Sequence, residues 1–166
     1  MPLTEKYHWV QRNTSKKSAE RLKLKNEGTL DPDREVQLYT DGASFGNPGP
    51  AGIGIVLLQE ETGYREEHSR YLGKATSNAA EYTALAEGLA LAVERGARRV
   101  AHCSDSELLV KQLKGEYKIK SDALKILLYR ARDIIAGLES FTTTHIGRQN
   151  NSRADKLAKQ AANSGS

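Results

Sequence analysis

Residues 36–58 read VQLYTDGASFGNPGPAGIGIVLL. Polar and apolar residues alternate from Val36 to Asp41, the period of a strand with one covered face. Gly and Pro then crowd residues 42–52, and turn chemistry accounts for them. GIGIVLLQE, from Gly52, resumes as a second strand. Glu61–Gly63 is a hairpin turn, and YREEHSRYLG, from Tyr64, alternates as a third strand. Three strands with short connections make an antiparallel meander.

After Ser77 the period changes. SNAAEYTALAEGLALAVERGA is a helix of about five turns, with Ala80, Leu85, Leu89, Ala92 and Val93 on one face and Gly96 as its stop. RRVAHCSD is a fourth strand, and SELLVKQLKG a second helix. SDALKILLYRARDIIAGL is a third helix with Ser121 as its N-cap. SFTTTHIG is a fifth strand, and NSRADKLAKQAANSG closes the chain as a helix. The fold class is α/β: a five-stranded mixed sheet, its first three strands antiparallel, flanked by helices.

The length of 166 residues suits one ordinary domain. Residues 35–163 form it. Residues 1–34 are polar and mixed, with a thin apolar stripe (Ala19, Leu22, Leu24) over Ser15–Gly28, and read as a basic appendage. The longest apolar run, Ile53–Leu58, is too short to span a membrane, and the N-terminus lacks the apolar stretch of a secretory signal. Cys103 is the only cysteine, which excludes a disulfide framework or a cysteine metal cluster and favours a reducing, cytoplasmic setting. Charge is unevenly spread. Residues 1–34 carry eight Lys/Arg against five Asp/Glu, residues 35–110 six against eleven, and residues 111–166 eleven against five. An acidic middle between basic ends suits a polyanion held over carboxylates, although ordinary surface charge explains it equally.

Most acids need no function. Glu60, Glu61, Glu66, Glu67 and Glu94 read as surface acids of hairpins and polar helix faces. Four others sit oddly. Asp41 ends a strand, where aspartate is disfavoured, although by itself it reads as a turn residue before Gly42. Glu81 lies early in the long helix beside its apolar face, where the macrodipole alone accounts for an acid. Asp105 stands at the carboxyl end of the fourth strand, as an N-cap or as part of a site at that edge. Asp155 lies beside the buried stripe of the last helix, Ala154, Leu157, Ala158 and Ala161. A mixed sheet brings all four together. Crowded carboxylates raise one another's pKa unless a cation compensates. Oxygen ligands without cysteine select a hard cation, Mg²⁺ or Mn²⁺, and a pair of such ions about 3.5–4 Å apart performs phosphoryl transfer.

In order and spacing, YTDGASFGNPGPAG, TSNAAEYTALAEGL, CSDSELLVKQL and HIGRQNNSRADKLAKQA resemble the four motifs of ribonuclease H, type 1, over residues 35–162. The similarity is to the compact branch without the basic protrusion between the third and fourth helices. The resemblance implies a ribonuclease H-like fold and a monomeric endoribonuclease, with no membrane partner, that hydrolyses the RNA strand of RNA–DNA hybrids and leaves 5′-phosphate and 3′-hydroxyl ends. It makes Asp41, Glu81, Asp105 and Asp155 the catalytic ligands of two Mg²⁺ ions with substrate bound, Mn²⁺ being the alternative. His145, or Arg148 in the same loop, takes the place of an assisting group near product. Gly42, Ala43, Asn47, Ser77 and Asn78 match positions beside the scissile strand, and Lys74 and Thr76 a phosphate pocket for the DNA strand.

Two departures accompany the resemblance. With the protrusion missing, KGEYKIKSD from Lys114, which interleaves Tyr117 with lysines, is a candidate for the distal grip. Residues 1–34 do not resemble the family's separate hybrid-binding domain; their charge and Trp9 suggest nonspecific affinity. A non-catalytic binding domain of this fold has no use for clustered acids. A DNA-directed resolvase or integrase fits Asn47, Ser77 and Asn78 less well than an RNA-directed enzyme does.

Overall fold

The computed structural model describes residues 28–165. The helix expected over residues 15–28 and Trp9 thus lie outside the described residues, apart from Gly28. Strand β1 (Val36–Ser44) pairs antiparallel with β2 (Gly49–Gln59), and β2 with β3 (Tyr64–Ala75). Helix α1 (Ser77–Glu94) leads to β4 (Arg99–Ser104), then α2 (Glu107–Leu113), α3 (Asp122–Ala136), β5 (Ser140–His145) and α4 (Ser152–Ser164). Strands β4 and β5 add in parallel beside β1, giving the order β3-β2-β1-β4-β5. This is the mixed five-stranded sheet expected from the sequence.

Two boundaries differ from expectation. β1 runs three residues past Asp41, and β2 begins at Gly49, so the Gly/Pro connection shrinks to residues 45–48. The two strands stay paired to Ser44 opposite Ala51, and Phe45 N–H donates to the Pro50 carbonyl at 2.9 Å. Asp41 is therefore inside a strand, opposite Gly54, and not in a turn.

Helix α1 lies against β1 and β2, with α3 packed on it, while α4 covers β1, β2 and β3. A Cβ on Gly42 would meet the Glu81 backbone nitrogen at 2.3 Å, and one on Gly54 the Ala154 carbonyl oxygen at 2.1 Å. Adjacent strand positions point to opposite faces, and Gly54 opposes Asp41. The two helices thus sit on opposite faces, each resting on a glycine. Ala80, Leu85, Leu89 and Ala92 are fully buried as expected, but so are Ala84 and Ala86. Sheet and α3 enclose α1 on most sides, so its apolar residues form no single stripe. Ser121 caps α3, accepting from Leu124 N–H at 3.3 Å. Among the described residues, no helix is long and apolar enough to cross a membrane. Residues 30–34 join the domain: the Gln59 side chain accepts from Asp31 N–H at 2.8 Å and donates to its carbonyl at 3.0 Å, and Leu30 packs on the core.

Glu66 and Glu67 are not surface acids: both are buried. On the α1 face, Arg95 at the end of α1 grips Glu66 with bonds of 2.8–3.0 Å, and Tyr64 donates to it at 2.7 Å. On the α4 face, Arg153 bonds Glu67. Partners so distant in sequence leave no periodic mark, so alternation alone reads these acids as solvated. Burial pushes the Glu66 carboxyl up, but hydrogen bonds from His68, Arg95 and Tyr64 prevail and hold it at about 2. Its folded-state value lies below that of the unfolded chain, so the stabilisation is present above about pH 4.5 and is lost as pH falls toward 2. Glu66→Gln should cost about 3 kcal/mol at neutral pH. Urea titrations of both proteins across pH should show that deficit shrinking below about pH 4.5 and closing as pH approaches 2. A constant gap between the two curves would refute the assignment.

Candidate active site

The site lies where β1 and β4 part. Their pairing runs from Val36 opposite Val100 to Tyr39 opposite Cys103 and then stops. Continuing that register places Asp41 of β1 beside Asp105, directly after β4. The gap is also where groups from the two faces can meet: Glu81 of α1 comes from one and Asp155 of α4 from the other. Asp41, Glu81 and Asp105 offer carboxylate oxygens that all lie within 4.8 Å of one another. Such a junction, with one parallel and one antiparallel neighbour beside the central strand, is where ligands bind open α/β sheets.

Each acid is held by a local cause. Gly42 admits the backbone of α1 so closely that Glu81 arrives beside Asp41. Asp105 is not the N-cap of α2. Ser106 fills that role, accepting from Leu109 N–H at 3.3 Å, and leaves the Asp105 carboxylate to the cluster. Asp155 stands outside the tight group of three, with Lys159 Nζ at 3.0 Å one helical turn on.

The electrostatics are unbalanced. Burial pushes the Asp41 carboxyl up to about 7; a hydrogen bond with Glu81 opposes the shift, and Asp105 and Asp155 add to it. Burial, then the Asp41 charge, raises Glu81 well above the usual carboxylate range. Asp105 is raised by burial against the opposing charge of Arg148, whose Nε lies 4.0 Å away. Glu81 Oε2 is buried with no hydrogen-bond partner. An orphaned carboxylate oxygen among mutually repelling acids fits a hard divalent cation, which would neutralise all three groups together.

His145, the last residue of β5, pairs with Ser104, and so flanks Asp105 on the side away from β1. Arg148 follows in a short 3-10 turn and is 84% exposed. On the other flank, Asn47 Oδ1 accepts from Ser77 N–H at 3.3 Å, which ties the β1–β2 loop to the start of α1. Gly42 and Ala43 lie within β1, half-exposed, and Asn78 is exposed in the first turn of α1. Lys74 is exposed near the end of β3. Thr76 is the N-cap of α1, and its hydroxyl accepts from Ala79 N–H at 3.1 Å, a structural duty that sequence matching did not show. Residues 114–121 connect α2 to α3. Tyr117, in that connection, is half-exposed with Lys111 Nζ 5.0 Å from its ring centroid.

Reading the sequence missed a polar frame beneath the acids. Asn151 is buried and donates to the Thr40 carbonyl at 3.0 Å, which fixes the entry to α4 against β1 beside Asp41. His102 is fully buried between Thr40 Oγ1 at 2.8 Å and Thr143 Oγ1 at 2.9 Å, linking β1, β4 and β5. Burial lowers its pKa to about 3, so it stays neutral. The in-phase polar residues Thr40, His102 and Thr143 were the available sign, but only the sheet order shows that they meet.

A mixed sheet with carboxylates at this junction defines a ribonuclease H-like fold. The family model described as reverse transcriptase-like matches residues 39–161. The chain is 40% identical to ribonuclease HI of Halobacterium salinarum over 134 residues, covering 80% of this chain and 67% of that protein. The crystal structure of RNase H1 from the same archaeon matches with a TM-score of 0.75 and 39% identity, over 79% of this chain and 99% of that one. LC11-RNase H1, solved in complex with an RNA/DNA hybrid, matches with a TM-score of 0.72 and 37% identity, over 78% and 97% of the two chains. The chain spans about a third of the length of three mycobacterial relatives to which it is 37% identical. The chain belongs to the ribonuclease H family, whose members are nucleic-acid hydrolases.

A raised carboxyl pKa destabilises the folded chain progressively as pH rises from about 4 through about 7, and a bound cation removes that penalty. Millimolar Mg²⁺ should therefore raise the melting temperature at about pH 8 and much less at about pH 5. Asp41→Asn should melt above the wild type in EDTA at the higher pH and respond less to Mg²⁺. Identical melting of both proteins with and without Mg²⁺ would refute this account.

Proposed function

We propose that the chain is an endoribonuclease that hydrolyses the RNA strand of RNA–DNA hybrids, leaving 5′-phosphate and 3′-hydroxyl ends. The observation that carries the reading is the close group of buried Asp41 with half-buried Glu81 and Asp105, with its unpartnered Glu81 oxygen. These three acids and Asp155 would hold two divalent cations, Mg²⁺ or Mn²⁺. Such ions supply an acidified attacking water and charge neutralisation at the leaving 3′-oxygen. The protein residues do the rest. The backbone at Gly42 and Ala43, with Asn47, Ser77 and Asn78, orients the RNA strand and meets its 2′-hydroxyls. Lys74, beside Thr76, engages a phosphate of the DNA strand. His145 and Arg148, on the flank beside Asp105, attend the departing product. The same reading makes the chain a monomer of the cytoplasm, where Cys103 stays a free thiol.

Incubation with labelled RNA–DNA hybrid, double-stranded RNA and double-stranded DNA tests this directly. The hybrid should be cut with Mg²⁺ or Mn²⁺ and stay intact in EDTA. Asp105→Asn removes a cation-binding charge worth several kcal/mol in the transition state, so the rate should fall by at least about a hundredfold. Survival of the hybrid with either metal would remove the functional reading; full activity of Asp105→Asn would remove the site assignment.

Residues 1–34 are proposed to add nonspecific affinity beside the catalytic domain, residues 35–163. Residues 1–27 alone carry seven Lys/Arg against three Glu. Since residues 30–34 bond to Gln59 and the core, the informative deletion stops at residue 27. It should weaken hybrid binding at low salt and flatten the salt dependence. Equal affinity and slope for the two chains would argue for a packing arm instead.

A further inference from the structure

Phe45 is 53% exposed in the loop between β1 and β2, four residues beyond Asp41. A single exposed apolar residue needs no explanation. This one differs in how it is held and in what surrounds it. The Phe45 N–H donates to the Pro50 carbonyl at 2.9 Å, and Ser44 Oγ donates to the Ala75 carbonyl at 2.8 Å. Asn47 binds Ser77 N–H across the same loop. Gly46 adopts a φ of 129°, and a Cβ on Gly49 would meet the Phe45 carbonyl oxygen at 2.4 Å. The loop is thus anchored on both sides in a conformation that two glycines permit, and it holds the ring out to solvent instead of folding it onto the core.

The loop itself carries no positive charge. No Lys or Arg occurs between Glu35 and Arg65. On the opposite flank Arg148 can meet a phosphate; on this side the cation in reach is Lys74, on β3 across from Pro50, outside the loop itself. Within the loop, affinity must come from backbone amides, Asn47 and apolar contact. The minor groove of an A-like helix is wide and shallow and presents ribose surfaces, which a rigid ring can cover. An uncharged ring adds this contact without competing with the acids for cations.

We propose that Phe45 is a substrate-contacting residue that packs against the sugar face of the RNA strand in the minor groove of the hybrid, on the flank of the acid cluster away from His145 and Arg148. The inference rests on the hybrid-directed reading above. Phe45→Ala should raise KM for the hybrid roughly tenfold, with kcat changed less than about twofold, because apolar contact outside the reacting atoms is uniform binding. The slope of log KM against log salt should stay that of the wild type, since no phosphate contact is lost. The melting temperature should hold; Phe45→Leu, which keeps an apolar side chain, should show an intermediate KM and serves if the alanine variant is unstable. As a direct readout, Trp9→Phe with Phe45→Trp in an Asp105→Asn background should change its tryptophan emission on titration with hybrid. A wild-type KM for both single variants, or an emission spectrum unmoved at saturating hybrid, overturns the proposal while leaving the hybrid-directed reading intact. A wild-type chain that neither binds nor cuts the hybrid overturns that reading and this inference with it.

Discussion

Mutual repulsion among Asp41, Glu81 and Asp105 is the constraint on which the rest of the structure depends. Three carboxylates with oxygens within 4.8 Å of one another oppose folding unless they bind protons or a cation. The backbone enforces their approach at two glycines. Gly42 lets α1 rest directly on β1, and Gly54 lets α4 rest directly on β2. A side chain at either position would push a helix away and pull its acid from the gap between β1 and β4. The fold therefore holds together a group that would otherwise separate, as expected of a site prepared for a cation.

The acids of β3 and those of the central gap have opposite electrostatics. Glu66 and Glu67 each have an arginine, Arg95 or Arg153, and their carboxyls are held below the usual range. Both stand on β3, the outer strand, where they tie it to the helices on its two faces. Asp41, Glu81 and Asp105 stand at the centre, and their carboxyls are raised. Arg148 near Asp105 is mostly exposed and only partly offsets this. Glu87, buried on α1 and paired with Arg70, also stays raised because its desolvation outweighs the pairing, so what sets the central three apart is that they crowd one another with only the exposed Arg148 nearby.

Charge is divided around the gap in a similar way. Positive groups on the β5 side and in the connection from α2 to α3 can meet phosphates, and Tyr117 lies among them beside Lys111. The β1–β2 side offers backbone, Asn47, the Phe45 ring and Lys74 at its edge. A polyanionic duplex laid across the acids would find ionic contacts on both flanks, with the Phe45 ring adding shape and apolar contact on the loop side.

Much of this was legible in the chain itself. Alternation at Val36–Asp41, the helical period after Ser77 and the capping serine at 121 are local, and local sterics and hydrogen bonding write them into sequence. Asp41, Glu81, Asp105 and Asp155 could be singled out because each breaks the pattern of its own element. Other features were decided only by tertiary structure. Glu66 and Glu67 looked solvated because Arg95 and Arg153, which bury them, lie 29 and 86 residues away. Ser106 displaced Asp105 as the cap through a geometric choice between neighbours. Asn151, Thr40 and His102 form their frame only once β4 lies beside β1. A sequence determines the period and the caps of its elements, which depend on near neighbours; which buried charges find partners depends on distant segments meeting.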